Sequence, residues 1–523
     1  MVTRKLVLPF LMFFGILESY CRCPRLVVII VIDQFAAHYI LKLDGYLSGG
    51  IHRLLKHGRV YANAFYPHAV LSTAVGHASL GTGALPGGAL EHAHGIVANS
   101  WFDSNRVEHV FTAKSVNEII IPPFTQRFLR ANKNNRAVAL SLKDRAALGM
   151  VGVSAPALWF DKEQNKFVSS KSDVLLSQII KVGNARVRTP RQTYWRLAHS
   201  DERYYTFPFI DDYEYASDLS LFLSDSHQGT AVSRKKFLEV FLKLPDANKL
   251  VLDLARIYIE NAYKKLKRDG SLLVWISLSS LDKLGHLYGP FSREVIDMIY
   301  HLDVQIDDFM QTVAKIAKPK DTFYVLTADH GVMPIPELIK PLAPGAQRIL
   351  ARDLIDEVNR HIKKKFNITR IIDGYKMPHI YLDQKKLQKC SPLRRELITE
   401  EISKKLSAHP GITRVFNAHK LAHTAVNVGT VDWLFKNNIF PGRSGDLLLH
   451  VAPYTIVSSY MTGTKHYTAY PYNTHVPLIM YQPKKYENDI IMQQVWVNQL
   501  IPTLAKIFSI TEVQFPFAPL PSV

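Results

Sequence analysis

The sequence predicts a three-layer α/β/α sandwich built on a mostly parallel sheet, and three observations carry that expectation. Apolar runs that read as buried strands occur at Leu26 to Ile32, Leu272 to Leu278, Phe323 to Thr327 and Val476 to Met480. Continuous runs of this kind suit strands covered on both faces by helices. Strands and helical stretches also alternate along the chain, the order that βαβ connections produce. Finally, candidate ligands sit where those runs end or begin: Asp33 after the first, Asp282 with His286 after the second, Asp329 with His330 after the third, and His475 just before the fourth. One edge of such a sheet gathers residues from distant parts of the chain into a single site.

At 523 residues, with 47% hydrophobic and 21% charged, the chain can bury a large core as one domain with insertions or as two domains. Disordered and fibrous classes are excluded by that composition. The formal net charge of +19 admits nucleic acid, an acidic surface or anionic small substrates as partners. Lys264 to Arg268 and Lys363 to Lys365 read as solvated helix faces, and no basic run forms a tail, so nucleic acid is not expected as a specific partner. Arg4 and Lys5 followed by Leu6 to Ile16 have the charged start and short apolar stretch of an export signal, too short to cross a bilayer as a helix. A signal over residues 1–23, a periplasmic or secreted location, no membrane span in the mature chain and a monomeric state are expected. Only Cys21, Cys23 and Cys390 are present, so no disulfide framework can be argued and thiolate metal sites are ruled out.

Taken in chain order, the first chemical element after Asp33 is Thr73, in Ser72-Thr-Ala-Val-Gly-His77. A threonine that opens a helix is an N-cap, but the same place offers backbone N–H groups to an anion, so cap and nucleophile are compatible readings. Asn99, in His94-Gly-Ile-Val-Ala-Asn-Ser-Trp101, offers an amide donor or a turn residue. Lys143 and Arg145 flank Asp144 and share a side if the segment is extended. Two cations aimed at one spot suit a dianionic phosphoryl group, while a surface salt bridge through Asp144 is the plain alternative. The stretch from Phe160 to Asn248 is aromatic-rich and irregular, fit to wall a cleft. Asp282 and His286 lie four apart, one face of a helical turn and a common spacing for two ligands to one metal. Val295, Ile299, Leu302, Ile306, Phe309 and Val313 recur at three and four, which predicts an amphipathic helix packed on the sheet. Gly331 permits the turn that aims Asp329 and His330 at one ion. A Lys- and Arg-rich segment at about 348–416 reads as a small inserted α+β subdomain. Carboxylate and imidazole donors without thiolates favour catalytic Zn²⁺.

Together these segments resemble the alkaline phosphatase superfamily, specifically its Thr-nucleophile, PafA-like alkaline phosphatases related to type I phosphodiesterases and nucleotide pyrophosphatases. The resemblance runs from about Leu26 to Leu520 over residues 24–523 as catalytic domain. It rests on Val31-Ile-Asp-Gln34, Thr-x-x-Gly-His-Ala-Ser at Thr73 to Ser79, Asn99, Lys143-Asp-Arg145, Asp282-Lys-Leu-Gly-His286, Asp329-His330-Gly and Thr474-His-Val-Pro477. The resemblance implies two Zn²⁺, one held by Asp282, His286 and His475, the other by Asp33, Thr73, Asp329 and His330. It also implies hydrolysis of small phosphate monoesters through a phosphothreonine at Thr73, with Asn99, Lys143 and Arg145 on the phosphoryl oxygens and a lysine in place of a third, magnesium site. His466 followed by Tyr467, where the family pattern has glycine, and Asn473, where aspartate is commoner, depart from it.

Two other readings compete. A nucleotide pyrophosphatase or phosphodiesterase of the same superfamily shares the metal site and threonine but lacks the Lys-x-Arg pair, and its nucleophile motif reads Thr-Phe-Pro-Asn-His. A non-catalytic, metal-containing anion-binding protein has no need of an activated threonine. A sulfatase needs cysteine or serine where Thr73 stands.

Overall fold

The computed structural model describes residues 23–188, 195, 197–200, 234–486, 488–511 and 514–522. The expected export signal, Cys23 apart, lies outside the described residues, as do 201–233 of the aromatic segment.

A nine-stranded sheet forms the centre, in the spatial order Asp489–Trp496, Arg59–Phe65, Leu478–Tyr481, Thr322–Thr327, Leu26–Ile32, Leu272–Leu278, Arg136–Ser141, Ala157–Asp161, Lys166–Ser169. Leu478–Tyr481 and Lys166–Ser169 run against the other strands. Every residue of Leu26–Ile32, Leu272–Leu278 and Thr322–Thr327 is buried, which is why these strands carry no polar alternation. One helix layer contains Gly50–His57, Pro245–Lys264 and Arg293–Ile316; the other contains Thr73–Thr82, Phe124–Ala131, Asp144–Val151 and Leu500–Ile507. The helix predicted from Val295 to Val313 is Arg293–Ile316, its six spaced apolar residues all buried and its start capped by Ser292, whose hydroxyl accepts from Val295 N.

A second, smaller sheet is antiparallel, ordered Ile372–Lys376, His379–Leu382, Leu447–Val451, Ile412–Asn417. Helices Ala351–Phe366 and Pro392–Ser407 pack with it around a separate apolar cluster that includes Leu354, Ile362, Ile380, Ile402 and Leu449. Its strand Leu447–Val451 comes from beyond residue 416, so this sheet draws on more of the chain than the Lys- and Arg-rich stretch alone.

The parallel strands place Asp33, Lys143, Asp282 and Asp329 beyond their carboxyl ends at one edge of the large sheet. Leu478–Tyr481 runs the other way, so it is the chain before this strand that returns to the same edge.

Candidate active site

Thr73 opens the helix Thr73–Thr82, but the cap position belongs to Ser72, and no side chain caps that helix end. The Thr73 hydroxyl is therefore not used as a cap. It lies 3.3 Å from the Lys143 ammonium. The first turn of this helix lies tight against the Asp329 backbone: a side chain at Gly76 would overlap the Asp329 carbonyl. Asn99 Oδ1 accepts the Ala74 N–H at 2.9 Å, so its amide sits at the helix start with its donor side directed elsewhere.

Lys143 and Arg145 do not share an extended face. The strand ends at Ser141, Lys143 is the residue before helix Asp144–Val151, and Arg145 lies in its first turn. Both nevertheless line one cavity of 490 Å³ together with Thr73, Asn99, Asp282 and His286. Phe160 and Lys162, from the segment expected to wall the cleft, line it too.

Two groups of donors converge beside Thr73. Asp33, Asp282 and His330 form one; Asp282, His286 and His466 form the other, each with its atoms close enough to share a cation. The His330 Nε2 lies 3.5 Å from Asp33 and 3.3 Å from Asp329. The His286 Nε2 lies 3.2 Å from Asp282 and 3.3 Å from the His466 Nε2. Lys143 reaches Asp33 and Asp282 at 2.5 Å each.

His475 is a correction to the sequence-based ligand set. Its Nε2 faces the Ala62 carbonyl at 2.8 Å, and its ring stacks on Phe65 with centroids 4.4 Å apart, so it is committed to the neighbouring strand and not to either group. His466 Nε2, not His475, faces Asp282 and His286 in a group that could hold a cation. The physical difference lies in which ring nitrogen is engaged. His286, His330 and His466 each spend Nδ1 on a backbone carbonyl, of Thr464, Gly331 and Leu71 respectively, at 2.7 to 2.9 Å. An Nδ1–H donated in this way fixes the neutral tautomer and leaves the Nε2 lone pair facing inward. Two supporting residues were also missed. His77 sits between the Thr73 carbonyl at 2.8 Å, Ser277 Oγ at 3.0 Å and Asp329 Oδ2 at 3.2 Å. Gln34 donates its backbone N–H to Asp329 at 3.1 Å and its amide to Asp282 at 2.9 Å. The His77 signal was its spacing of four from Thr73, which puts both on one helical face.

Burial and neighbours divide the charge. Burial raises the Asp33 carboxyl well above the usual carboxylate range, and Asp282 and Asp329 push it further. Burial opposes ionisation of Asp282 as well, yet Lys143 and His286 hold it well below that range. Burial also lowers His330 and His466, so both rings are neutral at pH 7. Burial disfavours the Lys143 charge, but Asp282, Asp33 and Asp329 outweigh it and keep the ammonium ionised. Asp282 and Asp329, both held ionised, outnumber the Lys143 ammonium in this buried cluster, a setting that suits a cation.

Residues 27–475 match the type I phosphodiesterase / nucleotide pyrophosphatase family. Among curated relatives, the chain is 26% identical to the alkaline phosphatase PhoK of Sphingomonas sp., covering 93% of this chain and 89% of that protein. It is also 26% identical to the alkaline phosphatase PafA of Elizabethkingia meningoseptica, covering 94% and 92%. The crystal structure of PafA superposes with a TM-score of 0.82 at 22% identity, covering 95% of this chain and 98% of that one, which shows the α/β fold to be shared.

Proposed function

The chain belongs to the type I phosphodiesterase / nucleotide pyrophosphatase family, and from that premise we propose that it is a zinc-dependent phosphatase cleaving small phosphate monoesters through a phosphothreonine at Thr73. One observation carries this reading. Asp33 Oδ1 and His330 Nε2 are buried, without a hydrogen-bond partner among the described residues, and lie 3.5 Å apart beside Lys143, whose ammonium is 3.3 Å from the Thr73 hydroxyl. Each such orphan costs about 1–3 kcal/mol, a penalty that a shared cation removes. Oxygen and imidazole donors without thiolate fit Zn²⁺.

Asp282, His286 and His466 would hold one ion, and Asp33, Asp329, His330 and Thr73 the other. When bound, such ions supply positive charge that favours ionised threonine and stabilises a departing ester oxygen. The chain's own residues do the rest. The Thr73 Oγ forms a bond to phosphorus as the ester P–O bond breaks, and the leaving alcohol gains the proton. Water then attacks the phosphothreonine, the Oγ–P bond breaks, and Thr73 recovers its proton. Two successive in-line displacements retain configuration at phosphorus. Lys143, Arg145 and Asn99 hold the non-bridging oxygens, which is most of what phosphoryl transfer asks of a protein. Two cations at the cavity favour a dianionic monoester over a singly charged diester. The family's phosphodiesterases supply the second reading, cleavage of diesters at the same threonine. The charged start of residues 1–23 supports export, and among the described residues no helix is long and apolar enough to cross a membrane.

The test is Thr73→Ala with an aryl phosphate monoester and the matching diester. Loss of the nucleophile lowers monoester turnover at least about a thousandfold while inorganic phosphate still binds. Retained turnover overturns the reading, and wild-type diester rates equal to monoester rates favour the phosphodiesterase.

A further inference from the structure

We propose that Arg348 is a positioning residue for the cation site of Asp282, His286 and His466. Its guanidinium clamps the turn at 460–464, whose Thr464 carbonyl holds the His286 ring, and so the small subdomain tightens one end of the active site. The inference rests on the two-ion reading above and gives the small subdomain a part that the reading leaves open.

Arg348 lies on strand Gln347–Leu350, which pairs in parallel with Thr455–Ser458. Ile349 and Val457 from these two strands join the apolar cluster of the small subdomain, and the alternation of side chains along a strand sends Arg348 to the opposite face. There all five of its N–H donors find acceptors. Nε and one Nη2 donor meet the two carboxylate oxygens of Glu337 at 2.8 and 2.9 Å. The other Nη2 donor reaches the Gly463 carbonyl at 2.7 Å, and Nη1 reaches the carbonyls of Tyr460 and Thr462 at 3.4 Å each. Only 6% of the Arg348 side chain is exposed, so the guanidinium is enclosed while Glu337, half-exposed, meets solvent.

The clamped turn lies in an irregular stretch. Between strand Thr455–Ser458 and helix Pro471–Thr474 the chain has no regular secondary structure, and Tyr460 and Met461 are exposed, so apolar burial does little to hold it. Yet this turn leads directly to the site. Gly463, with φ +74°, lies against the end of helix Ser280–Tyr288, where a side chain would overlap the His286 carbonyl. Thr464 then brackets His286: its N–H donates to the His286 carbonyl at 2.9 Å, and its own carbonyl accepts the His286 Nδ1–H at 2.7 Å. Two residues further on, His466 brings its Nε2 to the same group. A fork that fixes the carbonyls just before Thr464 therefore sets the ring of one ligand and the approach of another. Lysine, a point charge on a flexible stem, cannot make that fork.

The experiment equilibrates the zinc-loaded enzyme in chelator buffers of graded free Zn²⁺, counts bound ions by elemental analysis and follows aryl monoester turnover in the same buffers. Wild type, Arg348→Ala, Arg348→Lys and Glu337→Gln are compared, with His466→Ala marking which binding step belongs to the His286 group. Arg348→Ala is expected to weaken that step about tenfold and leave the other unchanged, the usual scale when a residue behind a ligand is lost. Turnover should fall at limiting Zn²⁺ and return to near the wild-type kcat at saturation, because the ligands themselves remain. Arg348→Lys is expected to recover only part of the loss. Unchanged zinc binding in Arg348→Ala would overturn the proposal. Equal weakening of both steps, or a kcat deficit that Zn²⁺ does not restore, would also overturn it by assigning Arg348 a general structural role. Should Arg348→Ala fail to fold, Glu337→Gln decides, with about a threefold weakening of the same step expected. A wild-type enzyme that binds fewer than two zinc ions would instead sink the two-ion reading.

Discussion

Asp33, Asp329 and His330 are wholly enclosed, whereas the group of Asp282, His286 and His466 opens to the cavity through His286, whose side chain is 27% exposed. The enclosed group also contains the unpartnered Asp33 Oδ1 and His330 Nε2, while in the outer group His286 Nε2 lies 3.3 Å from His466 Nε2 and 3.2 Å from Asp282 at the cavity wall. Depth therefore separates two tasks. A cation in the enclosed group would offset unsatisfied buried groups and stiffen the sheet edge next to Thr73. A cation in the outer group would stand nearer to entering water and departing alcohol, and would exchange more readily. Asp282 touches both groups through Lys143 and His286, so the two are coupled by a shared carboxylate.

The two depths separate most directly at His466. His466→Ala should remove the outer ion, taking metal content measured by elemental analysis from two ions per chain to one, and should lower monoester turnover by roughly a hundredfold or more. Two ions retained in that variant would return the ligand role to another residue. A sharper test of depth is timed chelation followed by metal analysis: the outer ion is expected to leave first, giving an inactive form with one ion per chain. Simultaneous loss would show that the two groups act as one. The smallest effect is at His475, where His475→Ala should keep both ions and full turnover and cost about 1 kcal/mol in denaturant unfolding, the worth of one hydrogen bond and a ring contact. Loss of an ion there would reinstate the ligand set read from the sequence.

Much of this was legible in the chain itself. Leu26–Ile32 announced a buried strand because every position is apolar, and Asp33 followed because polar residues mark where such a strand leaves the core. The boundary of the small subdomain was less legible. Its strand Leu447–Val451 follows its partner His379–Leu382 only after helix Pro392–Ser407 and a second partner strand, Ile412–Asn417, and pairing across such a gap leaves no local periodicity. Lys143 and Arg145 show the same limit on a smaller scale. Their spacing fits an extended strand as well as the first turn of a helix, and the chain turned helical at Asp144.

Which residue types gather at the sheet edge can be read from the chain: acids after apolar strands, a threonine in a small-residue turn, and a Lys-Asp-Arg triplet. Local composition is enough for that, because burial and strand ends are set by neighbours along the chain. The orientation of His466 and His475, nine residues apart before the same antiparallel strand, came from packing between distant segments. A histidine is free to face a cation when a distant carbonyl takes its Nδ1 and turns its Nε2 inward. Leu71 does this for His466, while Ala62 captures the Nε2 of His475.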